Sequence, residues 1–322
     1  MKMRAANRVR CGWWRAAFGT GFLLVTAGCS LGGHDRATSF VPAPGTSRYA
    51  IRVGSLARTF LLHVPRERPR RFGLPTDFPL VIVLHGSGAD AETIRRMSGL
   101  DSLAEAARFL VAYPNGVTGA LGLRSDWNAG ECCGVAANRN VDDVAFMHAL
   151  IGSIAARLPV DRRRVYIAGF SDGARMTYRA GCELSTELAA IAVVAGSLVD
   201  SHCAPKRPLP LIAFHGTADD EVPYFDSALT TPRRPLPAAW AKFPPSIQFW
   251  ASVDRCRDAT LTRAAPHVVL TRFDHCAADV VLYTVQDGLH AWPGGEADGD
   301  EPTRELSASR ELWRFFARHR KR

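Results

Sequence analysis

The pattern Gly-x-Ser-x-Gly at residues 169–173 constrains this chain most strongly because of the sequence on either side of it. The apolar run RVYIAGF (164–170) predicts a buried strand before Ser171, and helical spacing follows over 174–182. A serine at such a strand-to-helix turn is held in strained backbone geometry, and flanking glycines allow close approach. Its hydroxyl is then presented at the carboxyl end of the strand, where an added base could make it a nucleophile.

Short apolar runs alternate with helical spacing along most of the chain. Predicted strands lie at 59–64, 79–84, 109–113, 164–170, 191–194, 209–214 and 280–285, and predicted helices at 91–108, 141–158, 174–182 and 305–318. Continuous apolar strands between helices predict one α/β domain with a mostly parallel, doubly wound sheet and helices on both faces. The proline-rich segment 223–245 lacks clear periodicity, and we expect it to be an insertion or a lid.

A serine nucleophile needs a base, and an acid must orient that base. His290 lies in the loop after the last predicted strand, where its imidazole could reach the serine. Asp219 follows the strand at 209–214, in agreement with a chain order of Ser, Asp and His. We therefore predict His290 as the base and Asp219 as the acid. The rival acids are Asp220, Glu221 and Asp226.

Two backbone N–H groups are needed to bind a developing oxyanion. The residue after the nucleophile, Asp172, is predicted to supply one of them. The second should come from the loop HGSG at 85–88, which follows the strand at 79–84. We assign it to the N–H of Ser87, with Gly86 and Gly88 as alternatives one step away.

The net charge of +9 is concentrated at the two ends of the chain. Residues 1–28 contain five basic residues and no acid, residues 318–322 contain four basic residues, and the remainder is neutral. Phosphate binding needs basic residues clustered on a folded face, so we expect no nucleic-acid partner. The basic start and the apolar run at 16–27 predict a secretory signal peptide, too short to span a membrane.

The end of this leader leaves two interpretations open. The segment VTAGC at 25–29 resembles a bacterial lipobox, which would make Cys29 the lipidated first residue of a membrane-anchored lipoprotein. Alternatively, Cys29 is an ordinary cysteine beside a conventional cleavage site, and the protein is freely secreted. Both interpretations predict an extracytoplasmic location. Residues 29–48 are expected to form a flexible tether and residues 49–322 the catalytic domain.

Six cysteines lie beyond the leader, an even number that is typical of disulfides in an oxidising compartment. They are Cys132, Cys133, Cys182, Cys203, Cys256 and Cys276. The last two flank a short excursion before a strand, and we predict that they pair. The first two are expected to pair with Cys182 and Cys203 in an order that the sequence leaves open. A zinc site is rejected because CxxC and HExxH spacings are absent, and no metal or cofactor is expected.

Seven blocks of sequence together resemble the polyhydroxybutyrate depolymerase/feruloyl esterase group of α/β-hydrolases, which is related to acetylxylan esterases. They are HGSG (85–88), YPNG (113–116), DWNAGECCG (126–134), VDDVAFMHALI (141–151), RVYIAGFSDGARMTYRAGC (164–182), HGTADDEVPY (215–224) and GLHAWPGG (288–295). The resemblance covers most of residues 50–316. It implies the α/β-hydrolase fold, the triad Ser171, Asp219 and His290, and oxyanion donors at Ser87 and Asp172.

The resemblance also implies an activity, namely hydrolysis of carboxylic esters through an acyl-enzyme without a cofactor. Trp127, as a wall of the acyl pocket, and Trp292 are the expected substrate-binding residues. Since no second module for gripping a polymer is evident, we expect a small or oligomeric ester of the short hydroxyalkanoate, feruloyl or acetyl type. The sequence SDGARM at 171–176 departs from the group's usual pattern, and Arg175 within it could either favour an acidic substrate or point to solvent. A serine peptidase of the same fold and a non-catalytic surface lipoprotein are the alternatives.

Overall fold

The computed structural model describes residues 40–119, 125–226 and 231–321. The predicted signal peptide and Cys29 lie outside these residues. Phe40 is buried, and its ring packs against those of Tyr49 and Phe60 at centroid distances of 4.6 and 5.5 Å. The first strand begins at Gly45, so the folded domain starts before residue 49, within the segment predicted as a tether.

The described residues contain fourteen strands, most of which belong to one sheet. In chain order they are β1 (Gly45–Val53), β2 (Leu56–Val64), β3 (Arg70–Arg71), β4 (Leu74–Pro75), β5 (Phe78–Leu84), β6 (Leu110–Pro114), β7 (Val117–Thr118), β8 (Ser125–Asp126), β9 (Val160–Phe170), β10 (Ala190–Val194), β11 (Leu211–Gly216), β12 (Asp258–Ala265), β13 (Val268–Asp274) and β14 (Val280–Val285). Ten strands form the main sheet, in the order β1-β2-β6-β5-β9-β10-β11-β14-β13-β12.

The six central strands of this sheet, from β6 to β14, run parallel to one another. The outer strands join antiparallel, β1 and β2 at one edge and β13 and β12 at the other. Every residue of β5 is buried, as expected for a strand covered on both faces. The predicted mostly parallel, doubly wound sheet is confirmed, and the carboxyl ends of its central strands share one edge.

Helices cover both faces of the sheet. The α-helices are α1 (Ala91–Ser98), α2 (Leu100–Ala107), α3 (Gly134–Asn138), α4 (Asp143–Ala155), α5 (Asp172–Glu183), α6 (Pro245–Val253) and α7 (Ala308–Arg318), and a 3-10 helix spans Ala238–Lys242. Helices α4, α5 and α6 contribute to one core cluster, while α1, α2 and α7 contribute to the other. Within the described residues, no helix is both long and apolar enough to cross a membrane.

The helix predicted over 91–108 is two helices separated by one residue. Asp90 caps α1 by accepting the N–H of Thr93 at 2.9 Å. Gly99 then adopts φ 59, in the left-handed region that glycine enters without steric cost, and ends α1. The chain changes direction there, so Leu100 begins a second short helix against the same face of the sheet.

The excursion between Cys256 and Cys276 is a β-hairpin of two strands, β12 and β13, that the sequence pattern does not predict. Strand β12 is almost entirely exposed, so it lacks the alternating apolar pattern by which a half-buried strand is recognised. The predicted disulfide between Cys256 and Cys276 is confirmed. It joins the two ends of this hairpin at the edge of the sheet.

The expected pairing of the other four cysteines was wrong. Cys182 bonds to Cys203, and Cys132 bonds to its neighbour Cys133. The reason is the length of α5: with a rise of 1.5 Å per residue, Cys182 lies about 15 Å beyond Asp172. The sulfurs of the adjacent pair lie within 4.8 Å of the Asp172 carboxylate, at the opposite end of that helix. A disulfide cannot bridge such a separation.

The segment at 223–245 is not a free lid over its described part. Trp240 and Phe243 are buried in the core, and both rings pack edge-on against Phe273 of β13 at 4.9 and 5.1 Å. These aromatic contacts fix the second half of the segment to the sheet edge. The proline-rich composition therefore marks an irregular connection leading to α6.

Candidate active site

The serine of the Gly-x-Ser-x-Gly pattern lies on a sharp turn between β9 and α5. Ser171 has φ 54 and ψ −118, and its N–H donates to the carbonyl of Val194 at 3.0 Å. The flanking residues must be glycine, since a Cβ at Gly169 would overlap the carbonyl of Gly173, and a Cβ at Gly173 would overlap that of Leu84. The strained backbone costs on the order of 1–3 kcal/mol and holds the hydroxyl at the carboxyl edge of the sheet.

The loops after β11 and β14 bring an acid against a histidine. Nδ1 of His290 lies 2.9 Å from each carboxylate oxygen of Asp219, and both residues are buried. Glu221 approaches only the other ring nitrogen, with 3.7 Å between its carboxylate and Nε2. Asp226 accepts the hydroxyl of Ser197 at 2.6 Å instead. The geometry thus pairs His290 with Asp219 rather than with these rival acids.

Asp219 is kept ionised by its hydrogen-bond donors. Burial would raise the pKa of its carboxyl, but the nearby ring of His215 and the hydrogen bonds from His290 and the Val222 N–H outweigh burial and hold that pKa well below its ordinary value. Such a carboxylate can stabilise a positive charge on the His290 ring. The role of His215 was not predicted. Its signal in the sequence is its position four residues before Asp219, which brings it 3.4 Å from the carboxylate.

The predicted oxyanion donors lie at the ends of two neighbouring parallel strands. Asp172 is the first residue of α5, so its N–H has no acceptor within the helix. The second donor is predicted at Ser87, with Gly86 and Gly88 as alternatives. The N–H of Gly88 donates to the carbonyl of Ser125 at 2.9 Å, which removes Gly88 from consideration.

His85 fixes the peptide that carries the second predicted donor. Its Nε2 accepts the N–H of Gly116 at 3.0 Å, so Nδ1 carries the proton and donates to the carbonyl of Gly86 at 2.7 Å. Burial lowers the pKa of His85 to about 4, which keeps the ring neutral. In a trans peptide the carbonyl and the following N–H point in opposite directions. The bond to Gly86 therefore turns the N–H of Ser87 away from the His85 ring.

A buried carboxyl group stands beside Ser171. Asp172 accepts the N–H of Trp127 at 2.9 Å through Oδ2, while its buried Oδ1 has no hydrogen-bond partner among the described residues. Burial raises the pKa of Asp172 to about 7, although the Trp127 bond and the charge of Arg175 oppose this effect. Near neutral pH the carboxyl group is therefore divided between its protonated and ionised forms.

A buried ion pair holds the adjoining loop to the sheet. Arg58 of β2 lies 2.7 Å from Asp143, and both side chains are buried. The second oxygen of Asp143 accepts the N–H of Asn128 at 2.8 Å. Because a buried charge is costly when left without a partner, this pair and its hydrogen bond keep the loop that follows Trp127 in one position.

The two tryptophans predicted to contact substrate have packing contacts in the structure. The indole N–H of Trp127 donates to the carbonyl of His85 at 2.9 Å, and that of Trp292 donates to the hydroxyl of Ser309 at 3.0 Å. Both side chains are fully or almost fully buried. Trp127 thereby supports the loop of the predicted oxyanion donor, and the contact of either indole with substrate stays a prediction.

The side chain of Arg175 is directed towards the neighbouring loop and not into open solvent. Its Nη1 lies 3.5 Å from each sulfur of Cys132 and Cys133, and its Nη2 lies 3.8 Å from the carboxylate of Asp226. The two sulfurs and Asp172 form the one cluster of metal-ligating atoms in the described part of the chain. The sulfurs are bonded to each other, so they lack the thiolate charge that a metal ion requires.

The serine and the histidine line the same pocket, which has a volume of ≈150 Å³. Its other walls are the loop at 85–87, α1 and the loop that carries Glu221. Apolar contacts come from Ile94, Met97 and Phe170. The site thus combines a hydroxyl, a histidine held by an ionised acid, and a small partly apolar cavity.

Comparison with protein families decides the identity of the chain. The model of the family described as esterase PHB depolymerase matches residues 73–239, about half of the sequence. The chain belongs to this family. The esterase is 33% identical over 272 residues to a putative esterase, NocK, from Nocardia uniformis subsp. tsuyamanensis, covering 79% of its own chain and 75% of the relative. It is 31% identical over 198 residues to feruloyl esterase B from Piromyces equi, covering 59% of its own chain and 35% of the relative.

Solved structures place the esterase in the expected fold. An acetyl xylan esterase from Aspergillus awamori superposes with a TM-score of 0.56 at 13% identity, covering 76% of this chain and 94% of the other. A thermostable esterase gives a TM-score of 0.56 at 14% identity, covering 85% and 63%. The predicted α/β-hydrolase fold is confirmed, and family membership makes the chain a carboxylic ester hydrolase.

Proposed function

We propose that the esterase uses a serine mechanism, with Ser171 as nucleophile, His290 as base and Asp219 as the acid that orients the base. The observation that carries this proposal is the pairing of His290 Nδ1 with Asp219 at 2.9 Å while the ring faces the same pocket as Ser171. The buried Nε2 of His290 has no hydrogen-bond partner within the described residues, so it is available to accept a proton.

The reaction follows from these positions. The hydroxyl oxygen of Ser171 attacks the ester carbonyl, and its proton passes to Nε2 of His290. The N–H groups of Ser87 and Asp172 bind the oxyanion. The carbon–oxygen bond to the alcohol then breaks, and the alcohol leaves with the proton from His290. Water attacks the acyl-enzyme by the same route in reverse, releasing the acid and restoring Ser171.

The pocket supports a short acyl group. Its volume of ≈150 Å³ lies well below the ~300–1,000 Å³ of sites that enclose drug-sized ligands. We propose small or oligomeric esters as substrates, with short aliphatic acyl groups preferred to feruloyl groups. The names of relatives include feruloyl and acetylxylan esterases, so acetyl and feruloyl esters are the first comparison to make.

Active-site labelling and a substrate panel test these proposals. A fluorophosphonate probe should label the protein and the control Ser55→Ala, whose serine lies in an exposed turn, but not Ser171→Ala. Equal labelling of Ser171→Ala, or no labelling of the folded parent, would overturn the serine mechanism in favour of another mechanism or a non-catalytic lipoprotein.

A substrate panel tests the preference for short acyl groups. Among p-nitrophenyl esters of graded length and methyl ferulate, activity confined to the ferulate would refute this preference.

We further propose that the protein acts outside the cytoplasm, secreted or anchored through Cys29. The three disulfides support an oxidising compartment. The lipid anchor is tested by growing cells on a clickable fatty acid. Labelling of the parent that disappears in Cys29→Ser indicates an anchor, whereas an unlabelled protein in the medium indicates free secretion.

A further inference from the structure

A small hairpin presents two large apolar side chains to solvent. It is formed by β3 and β4, and we call residues 66–75 the basic hairpin. Phe72 at its tip is 91% exposed and Leu74 is 70% exposed. A single exposed leucine is ordinary on a protein surface, but an exposed aromatic ring and an exposed leucine at one hairpin tip form a small apolar patch.

The turn at this tip does not favour the aromatic residue that occupies it. Phe72 has φ 51 and Gly73 has φ 80, so both central residues of the two-residue turn are left-handed, as in a type I′ turn. Asn, Asp or Gly normally fill the first of these positions, and a bulky residue there is a conformational outlier. Local turn chemistry thus fails to explain Phe72, which indicates a contact made outside the chain.

Positive charge surrounds the apolar tip. The basic hairpin contains Arg66, Arg68, Arg70 and Arg71. The acids nearest in sequence are already engaged, since Glu67 binds Arg108 at 2.6 Å and Asp77 lies 3.8 Å from Arg68. With four arginines and two acids, residues 66–77 carry a net charge of +2.

The two arginines next to the tip contact uncharged groups. Arg70 donates to the carbonyl of Gly73 at 2.9 Å, and the guanidinium of Arg71 lies 5.3 Å from the ring centre of Phe72. Glu67, which is within electrostatic reach of Arg70, is held by Arg108. The tip therefore combines apolar side chains with cations that an external anion could neutralise.

The basic hairpin and the catalytic pocket lie at opposite ends of strand β5. It precedes the amino end of β5, whereas the oxyanion loop follows the carboxyl end of the same strand. A strand of seven residues spans about 23 Å. A surface that contacts the hairpin would therefore leave the pocket open to the surrounding solution.

We propose that the basic hairpin docks this protein on an anionic lipid bilayer. Phe72 and Leu74 enter the boundary between headgroups and acyl chains, and the arginines bind lipid phosphates. A bilayer fits better than a dissolved polyanion because it alone offers an apolar phase directly beneath a layer of negative charge. This docking is independent of the serine mechanism proposed above.

Vesicle co-sedimentation tests the proposal, with Cys29→Ser in every protein to exclude lipidation. The parent should bind vesicles containing about one third phosphatidylglycerol and not pure phosphatidylcholine. Arg70→Gln/Arg71→Gln should lower the partition coefficient roughly thirtyfold. Phe72→Ser/Leu74→Ser should lower it at least about tenfold.

A control variant distinguishes docking through the hairpin from non-specific adsorption to vesicles. Arg257→Gln/Leu261→Ser changes one exposed arginine and one exposed leucine at the far sheet edge and should bind like the parent. All variants should hydrolyse a soluble ester at the parental rate, since the hairpin is remote from the pocket. Loss of binding only in the arginine variant would mean that charge alone holds the hairpin and that no apolar side chain enters the bilayer. Equal binding to both vesicle types would mean no charge recognition. Either result, or weakened binding in the control, overturns the proposal.

Discussion

The buried carboxyl group of Asp172, next to Ser171, should make the folded protein less stable as pH rises. Burial raises the pKa of Asp172 from 3.8 to about 7. Between these values the unfolded chain is ionised while the folded protein keeps the proton, so the folded state binds more protons and the free energy of unfolding falls. A pKa difference of about 3 corresponds to about 4 kcal/mol, of which about 3 kcal/mol is lost between pH 5 and pH 8.

Replacing Asp172 by Asn removes this titration and keeps an oxygen for the N–H of Trp127. Urea unfolding at pH 5 and pH 8 should show that D172N gains about 3 kcal/mol more over the parent at the higher pH. Asp258→Asn, at an exposed carboxyl group, serves as the control and should change little. Parallel pH dependence of D172N and the parent would show that Asp172 is ionised throughout, and would refute the reasoning.

Three further predictions concern the supports of the site. His85→Ala frees the Gly86–Ser87 peptide, so kcat for a p-nitrophenyl ester should fall about 10²-fold with KM little changed, and an unchanged kcat would contradict the positioning role. Asp143→Ala leaves the charge of Arg58 buried, so urea unfolding should show a loss of about 3–5 kcal/mol. Gly169→Ala forces a Cβ into the Gly173 carbonyl, and calorimetry should show a lower Tm, equivalent to about 1–3 kcal/mol or more.

The sequence was most informative where local pattern and topology coincide. The strand and helix around Ser171 are both buried and regular, so the turn between them could be located to the residue. In the parallel sheet the loops after β11 and β14 meet at the same edge, which is why the sequence could predict that His290 and Asp219 lie together. The sequence predicted Asp219 but kept Glu221, in the same turn, as a rival. The side-chain distances place Asp219 against Nδ1 of His290 and Glu221 only near Nε2.

Other features depend on contacts that local pattern does not encode. Strand β12 is defined by its pairing with β13 rather than by an apolar face, so its sequence resembles a loop. The bond between Cys132 and Cys133 follows from the path of a loop past one end of α5, which no spacing rule reveals. The role of His85 depends on its two ring contacts, to Gly116 and Gly86, which come from separate segments.

The disulfide bond at the ends of the β12–β13 hairpin affects how the edge of the sheet can unfold. An exposed outer strand offers unpaired backbone groups to other chains and is a common starting point for association into aggregates. The bond between Cys256 and Cys276 closes a loop around this strand, and a loop of about this size lowers the entropy of the open chain by the equivalent of about 3 kcal/mol. Strand β12 can therefore not separate fully from the sheet while this disulfide bond is intact. A reducing agent should expose β12 to proteases and to other molecules before the central strands of the sheet unfold.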